Sequence, residues 1–159
     1  EELEQFALND SMTGFYNRNA YDYFIYNEKN IKNYMVVTFD LNNLKMCNDN
    51  YGHSSGDAYI IHSAHIIETT FDRFGKCYRI GGDEFCCLIP DAAEFQIERF
   101  IQKMQQDIAI LNNKNIIPTE VGIACGYALA TPDDADIEKV RERADEMMYH
   151  NKKVLKGLI

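Results

Sequence analysis

Residues 34–40 read Y-M-V-V-T-F-D: β-branched and aromatic, nearly apolar from end to end, and closed by a carboxylate. A half-exposed strand alternates apolar with polar side chains, whereas an unbroken apolar run is covered on both faces. This stretch therefore predicts a central strand with elements packed on both of its faces and Asp40 at its end. The rest of the chain offers the cover. Residues 17–29 carry Tyr21, Phe24 and Ile25 on one helical face, and from Gly56 onward Ile60, Ala64, Ile67 and Phe71 recur at helical spacing. Ile97, Ile101, Met104, Ile108 and Leu111 mark another helix, and Ile137, Val140, Ala144 and Met148 a further one. Residues 76–80 and 84–89 are β-prone runs around Gly81, Gly82 and Asp83, the pattern of a hairpin whose second strand stops at Pro90. Residues 121–130 are strand-like, and 131–134 make a turn. The order of strand, helix, two strands, helix, strand and helix predicts an antiparallel or mixed sheet with helices packed against it.

A chain of 159 residues, 46% apolar and 26% charged, has room for one core. Residues 1–10, E-E-L-E-Q-F-A-L-N-D, read as the end of a helical connector from an upstream segment, leaving 11–159 as the domain. Sixteen basic against 25 acidic residues give a formal charge of −9. Such a surface repels nucleic acid and anionic membrane, so a phosphate ligand needs a local exception to the global field. The five cysteines, without C-x-x-C spacing, read as buried reduced thiols. No apolar run reaches the roughly 18 to 20 residues of a membrane span and no leader is visible, which points to a cytoplasmic domain without direct membrane contact.

Asp40 ends one strand while Asp83 and Glu84 sit at the hairpin reversal, so neighbouring strands would bring three carboxylates close together. Like charges at short range call for a cation, and two carboxylates completed by substrate phosphates is how Mg²⁺ is commonly held in phosphoryl transfer. Gly81 and Gly82 would permit both a tight reversal and close approach of a nucleotide. Asn42, Asn43 and Leu44 offer backbone N–H groups to phosphate where the chain turns into a helix, and Lys45 adds charge. Asn48 and Asp57 combine an amide with a carboxylate, the donor and acceptor set that reads a purine edge. The plainer alternative is an acidic turn, a surface lysine and capping side chains, and spacing alone leaves both open. His53, His62, His65 and His150 form no zinc pattern. Neither G-x-G-x-x-G nor a P-loop motif is present.

The stretch Arg79-Ile80-Gly81-Gly82-Asp83-Glu84-Phe85 resembles the signature of the GGDEF family, the diguanylate cyclases. Further blocks agree in order and spacing: residues 10–18 (D-S-M-T-G-F-Y-N-R), Phe39-Asp40 with Lys45 and Asn48-Asp49, Gly52-His53 with Gly56-Asp57, and Ala144-Asp145 through Tyr149 to Lys152. The resemblance implies an α/β (α+β) fold with a central five-stranded, mostly antiparallel sheet flanked by helices, similar to nucleotidyl cyclase and polymerase palm domains. It implies condensation of two GTP into cyclic di-GMP and two pyrophosphates across a homodimer, with Mg²⁺ or Mn²⁺ as cofactor. In that scheme Asp40, Asp83 and the carbonyl of Leu41 hold metal, and Glu84, also near the metal, is required for turnover. Asn48 and Asp57 read guanine, Gly81 and Gly82 approach the nucleotide, and Lys45, Lys152 and Lys156 contact the triphosphate. Arg79 stands where the family often has a basic residue.

Three departures qualify the transfer. Asn42 replaces a frequent second aspartate, Leu155 replaces a glycine and weakens the placement of Lys156, and the R-x-x-D product-inhibition motif upstream of the signature is absent. Activity is expected to survive, without strong feedback through that route. The isolated piece is expected to be largely monomeric, with an upstream sensor or regulatory domain driving pairing. The alternatives are a noncatalytic GTP-binding or signal-relay domain, and a cyclase of different base preference.

Overall fold

The computed structural model describes residues 7–157. Most of the expected connector, residues 1–6, lies outside the described residues. The sheet has four strands, β1 (Met35–Leu41), β2 (Lys76–Arg79), β3 (Glu84–Ile89) and β4 (Ile123–Leu129), in the order β2-β3-β1-β4 with every neighbour antiparallel. The helices are α1 (Arg18–Asn27), α2 (Leu44–Tyr51), α3 (His53–Phe71), α4 (Ile97–Asn113) and α5 (Ile137–Leu155).

The apolar run does what its composition requires. β1 is a central strand, and side chains alternate across it. Met35, Val37, Phe39 and Leu41 join Tyr59, Ile67, Phe71, Met104 and Ile108 of α3 and α4 in one core, while Val36 joins Tyr21, Val140 and Ala144 of α1 and α5 in a second. Both faces are thus covered by helices, and Thr38 and Asp40 fall on the α5 face.

The sheet has four strands where the resemblance implied five; beyond β2 there is only a single-residue bridge. The chain reverses at residues 10–14, with Gly14 at φ +77°, so that Asn9 bridges Tyr16 and Tyr16 in turn bridges Tyr78 in parallel. Tyr16 occupies the outer edge of β2, where Tyr16 N–H donates to the Cys77 carbonyl and Arg79 N–H to the Tyr16 carbonyl. The pairing stops because Asn17 caps α1, its side chain accepting from Ala20 N–H.

Three helices differ from the expected pattern. Residues 44–51 form a helix of their own, ended by Gly52 at φ +91°, and α3 starts at His53, ahead of Gly56. The left-handed region at Gly52 breaks what would otherwise be one helix into two that meet at an angle. α5 continues past Met148 to Leu155, carrying Lys152 along the sheet. Its approach depends on Gly126 in β4: a Cβ there would lie 2.2 Å from the Ala144 carbonyl oxygen and 2.3 Å from the Met148 nitrogen. Helix backbone rests directly on strand backbone at this point. All five cysteines are buried and unbridged. No described helix is long and apolar enough to cross a membrane.

Candidate active site

Antiparallel register places Asp40 opposite Glu84, at the end of β1 that meets the hairpin. The hairpin tip is tied to β1 by Leu41 N–H, which donates to the Asp83 carbonyl at 3.0 Å. The Asp83 carboxyl is near enough to Asp40 to feel its charge. Lys152 closes the other side, its Nζ donating to Asp40 Oδ2 at 2.8 Å across a gap of 112 residues. The second Asp40 oxygen, Oδ1, is buried and has no hydrogen-bond partner. A buried carboxylate oxygen without a donor is costly, so its position invites a cation or a donor from a ligand.

The electrostatics agree with this arrangement. Burial and the charge of Asp40 hold the Asp83 carboxyl above its ordinary range, with Lys152 pulling the other way. Glu84 is raised by burial first and then by Asp145, Asp40 and Asp83, against the opposing charge of Arg141. Two or more carboxylates that raise one another are short of positive charge. Among the described residues no group of three or more His, Cys, Asp and Glu side chains is placed to hold a metal ion. Asp40, Asp83 and Glu84 form an acidic edge where the end of β1 meets the hairpin, and carboxylate oxygens are the donors that hard divalent ions prefer.

The turn of the hairpin does not need its glycines for conformation. Neither Gly81 nor Gly82 has a positive φ, so the expected reason, a tight reversal only glycine can make, does not hold. A Cβ on Gly82 would meet nothing within 4 Å, and one on Gly81 only Glu84 at 3.6 Å. What the missing side chains leave is open space over the acidic edge. Arg79 is occupied: Nη1 bonds both carboxylate oxygens of Asp10 at 3.2 Å and Nη2 bonds the Gly82 carbonyl at 2.8 Å, clamping the turn to the segment before α1. Burial opposes it, but hydrogen bonds from Thr13 and the charge of Arg79 keep Asp10 below the usual carboxylate range.

On the other side of Asp40 the chain enters α2 through Asn43, which adopts the left-handed conformation at φ 59° and gives no side-chain cap. The first N–H groups of α2 are therefore left for an anion. Asn42 N–H is taken by the Gly122 carbonyl, and the Tyr59 hydroxyl donates toward the Asn42 carbonyl at 2.6 Å while accepting from Gly122 N–H at 2.9 Å. This fixes the loop after β1. Leu44 is buried, and Lys45 is exposed, paired with Asp49 at 3.5 Å.

Asn48 of α2 lies flat on α3 at Gly56. A Cβ on Gly56 would sit 1.6 Å from Asn48 Oδ1, so the glycine is what makes room for the amide. Asp57, the next residue, is exposed. Lys156 is exposed at the end of α5, beside a cleft of about 400 Å³ that Asn42, Asn43 and Glu120 also line. Position in the sequence did not show that Asp145, Arg141 and Thr38 crowd the same sheet face as Glu84. The signal was the spacing of Glu138, Arg141, Asp145 and Lys152, which repeats charge along one side of α5.

A family profile described as "Diguanylate cyclase, GGDEF domain" matches residues 7–156. The chain belongs to the GGDEF family. Diguanylate cyclase DgcN of Escherichia coli (strain K12) is 31% identical over 157 residues, covering 95% of this GGDEF chain and 38% of DgcN. Diguanylate cyclase DgcS of Shewanella oneidensis is 27% identical over 161 residues, covering 96% of this chain and 52% of DgcS. This GGDEF chain thus spans between about a third and about a half of the length of these relatives. The crystal structure of the coiled coil and GGDEF domain of DgcB from Caulobacter crescentus, in complex with c-di-GMP, superposes with a TM-score of 0.83 at 22% identity, covering 96% of this chain and 84% of that one. At that identity it establishes the shared GGDEF fold.

Proposed function

We propose that this GGDEF domain is a diguanylate cyclase that joins two GTP molecules into c-di-GMP and releases two pyrophosphates. The observation that supports it most directly is the bare, buried Oδ1 of Asp40 beside Asp83, with Lys152 on the opposite oxygen. Mg²⁺, or Mn²⁺ in its place, would be held by Asp40, Asp83 and the Leu41 carbonyl with Glu84 beside them. When bound it supplies Lewis-acid polarisation of phosphate oxygens and acidifies the attacking ribose hydroxyl.

The chain's own groups have separable tasks. Lys152, already fixed on Asp40, brings positive charge to the edge where the triphosphate and its leaving pyrophosphate lie. The uncapped start of α2 offers N–H groups to phosphate oxygens, with Lys45, exchanging its exposed pairing to Asp49, and Lys156 able to swing in from solvent. Asn48, held by Gly56, and Asp57 read the guanine edge. The open face over Gly81 and Gly82 lets the nucleotide approach the hairpin backbone. The Asp10–Arg79–Gly82 clamp keeps the tip, and so Asp83, in register with β1.

One domain presents one such set of groups, so each 3′-hydroxyl must attack the α-phosphate held by a second copy, and closing the ring takes a homodimer with its nucleotides antiparallel. GTP locates the reaction in the cytoplasm, and pairing would be controlled by a segment upstream.

The test is turnover of GTP with Mg²⁺ at several protein concentrations, the product identified by mass. The expected result is cyclic dinucleotide whose rate per chain rises with protein concentration and disappears in Asp83→Ala and Glu84→Ala. A verified dimer that binds GTP and makes no product would overturn the cyclase function and favour a noncatalytic GTP-binding domain.

A further inference from the structure

Two segments leave the sheet side by side at the rim of the candidate site: the loop after β1, at Asn42, and the chain that enters β4, at Gly122. The last sheet pair joins Leu41 to Ile123. One step beyond it, a side chain takes over from the ladder. Tyr59 of α3 has none of its surface exposed, and its ring belongs to the core covered by α3 and α4. Its hydroxyl donates to the Asn42 carbonyl at 2.6 Å, Asn42 N–H donates to the Gly122 carbonyl at 2.8 Å, and Gly122 N–H donates back to the Tyr59 oxygen at 2.9 Å. These three bonds make a closed ring in which every partner donates once and accepts once. The Gly122 carbonyl also stands 3.0 Å from the Tyr59 oxygen, so the hydroxyl sits at the junction of both segments.

The ring is held from outside as well. The Asn112 amide of α4 brackets Val121, its Nδ2 donating to the Val121 carbonyl at 3.0 Å and its Oδ1 accepting from Val121 N–H at 2.8 Å. Side chains of two helices thus fix the entry to β4, and Asn42 is fixed to that entry. The next residue, Asn43, turns through φ 59° directly into α2 without a side-chain cap. No slack separates the ring from the first N–H groups of α2, so their direction follows from where Asn42 is put. A phenylalanine at position 59 would keep the packing and lose the ring: the Asn42 carbonyl and Gly122 N–H would each be left without a partner away from water, a cost that the loop relieves by moving.

We propose that Tyr59 is a positioning residue for the triphosphate: by closing the ring with Asn42 and Gly122, its hydroxyl holds the start of α2 where its N–H groups meet phosphate oxygens. Its effect falls on phosphate and not on the base, because Asn48 is seated by its packing on Gly56, which the ring does not touch. This rests on the phosphate-binding role given above to the start of α2.

The test compares Tyr59→Phe with Tyr21→Phe, which removes another buried tyrosine hydroxyl, bonded to Glu138 at 2.6 Å on the opposite face of the sheet, and so controls for lost stability. Without ligand, amide hydrogen exchange at Asn42 and Gly122 is expected to be roughly tenfold faster in Tyr59→Phe than in Tyr21→Phe. Calorimetric titration with inorganic triphosphate in Mg²⁺ is expected to show affinity lower by roughly tenfold in Tyr59→Phe and unchanged in Tyr21→Phe. In turnover, weakened phosphate binding shared by ground and transition states raises KM for GTP by the same roughly tenfold factor, with kcat changed less than about twofold and the GTP-over-ATP ratio of kcat/KM unchanged. Asn112→Ala, which loosens the ring from the Val121 side, should give a smaller loss in the same direction, and it decides the matter if Tyr59→Phe does not fold. Equal exchange and equal triphosphate affinity in the two tyrosine variants, or a loss confined to kcat or to base preference, would overturn the proposal. A parent that binds triphosphate and makes no cyclic dinucleotide means that the proposed function has failed, and the exchange and titration results still decide the role of Tyr59; a parent that binds no triphosphate overturns both.

Discussion

Replacing Gly56 with alanine separates the shape of the proposed guanine site from the stability of the fold. The added methyl would lie 1.6 Å from Oδ1 and 2.6 Å from Cγ of Asn48, distances no packing adjustment of tenths of an ångström can absorb. The obstructing atoms belong to the end of a short side chain, so Asn48 rotates off α3 and the backbone stays. Gly56 lies inside α3, where alanine is favoured over glycine by about 1 kcal/mol. That gain opposes the loss of the amide's packing, and the stability change is expected to stay within about 1 kcal/mol. The effect on substrate is larger. Hydrogen bonds between an amide and a base edge contribute about 1–3 kcal/mol when a buried partner is left unsatisfied, so kcat/KM for GTP should fall roughly 5- to 150-fold. Activity with ATP should change little. Steady-state kinetics with both nucleotides, together with a denaturant midpoint, measure this, and Asn48→Ala added to Gly56→Ala should cost almost nothing more. If Gly56→Ala keeps the parent's KM and its preference for GTP while Asn48→Ala loses both, the placement of Asn48 by Gly56 is wrong.

Lys152→Met removes the partner of Asp40 and should lower unfolding free energy by about 1–3 kcal/mol; adding Asp40→Asn should restore stability in urea titrations without restoring turnover. Gly126→Ala drives a methyl into the backbone of α5, where neither side can yield, and an unfolding free energy lower by about 3 kcal/mol is expected. Glu84 is raised in the folded protein by burial and by Asp145, so its ionisation costs stability as pH rises through and above the ordinary glutamate range. In metal-free protein Glu84→Gln should therefore raise the thermal midpoint at pH 7, and the gain should vanish near pH 4, where both side chains are neutral; a gain independent of pH would show that the cause is not charge.

Much of the architecture was legible because hydrophobic period is a local property. The unbroken run at 34–40 announced a strand covered on both faces, and the helical stripes at Ile97 and Ile137 announced what covers it. The ordered blocks from Asp10 to Lys152 identified the family, and with it the residues to examine. Legibility failed where a single backbone angle decided the outcome. Gly52 at φ +91° divides α2 from α3, yet in the sequence it is one more glycine in a polar stretch. Nothing local marks Tyr16 as the single residue that bridges the outer edge of β2 before the Asn17 cap turns the chain into α1.

The sequence by itself determined which groups are available: the carboxylates at 40, 83 and 84, the amide at 48, the lysine at 152, and an acidic composition against which a phosphate ligand needs a local exception. Tertiary structure decided which of them act together. Register sets Asp40 against Glu84, the close contact at Gly126 lets α5 deliver Lys152 to one oxygen of Asp40 and leaves the other bare, and Asp10 holds Arg79 on the Gly82 carbonyl. These are distances between residues tens of positions apart, and such distances follow from packing of whole faces, which no local pattern of side chains encodes.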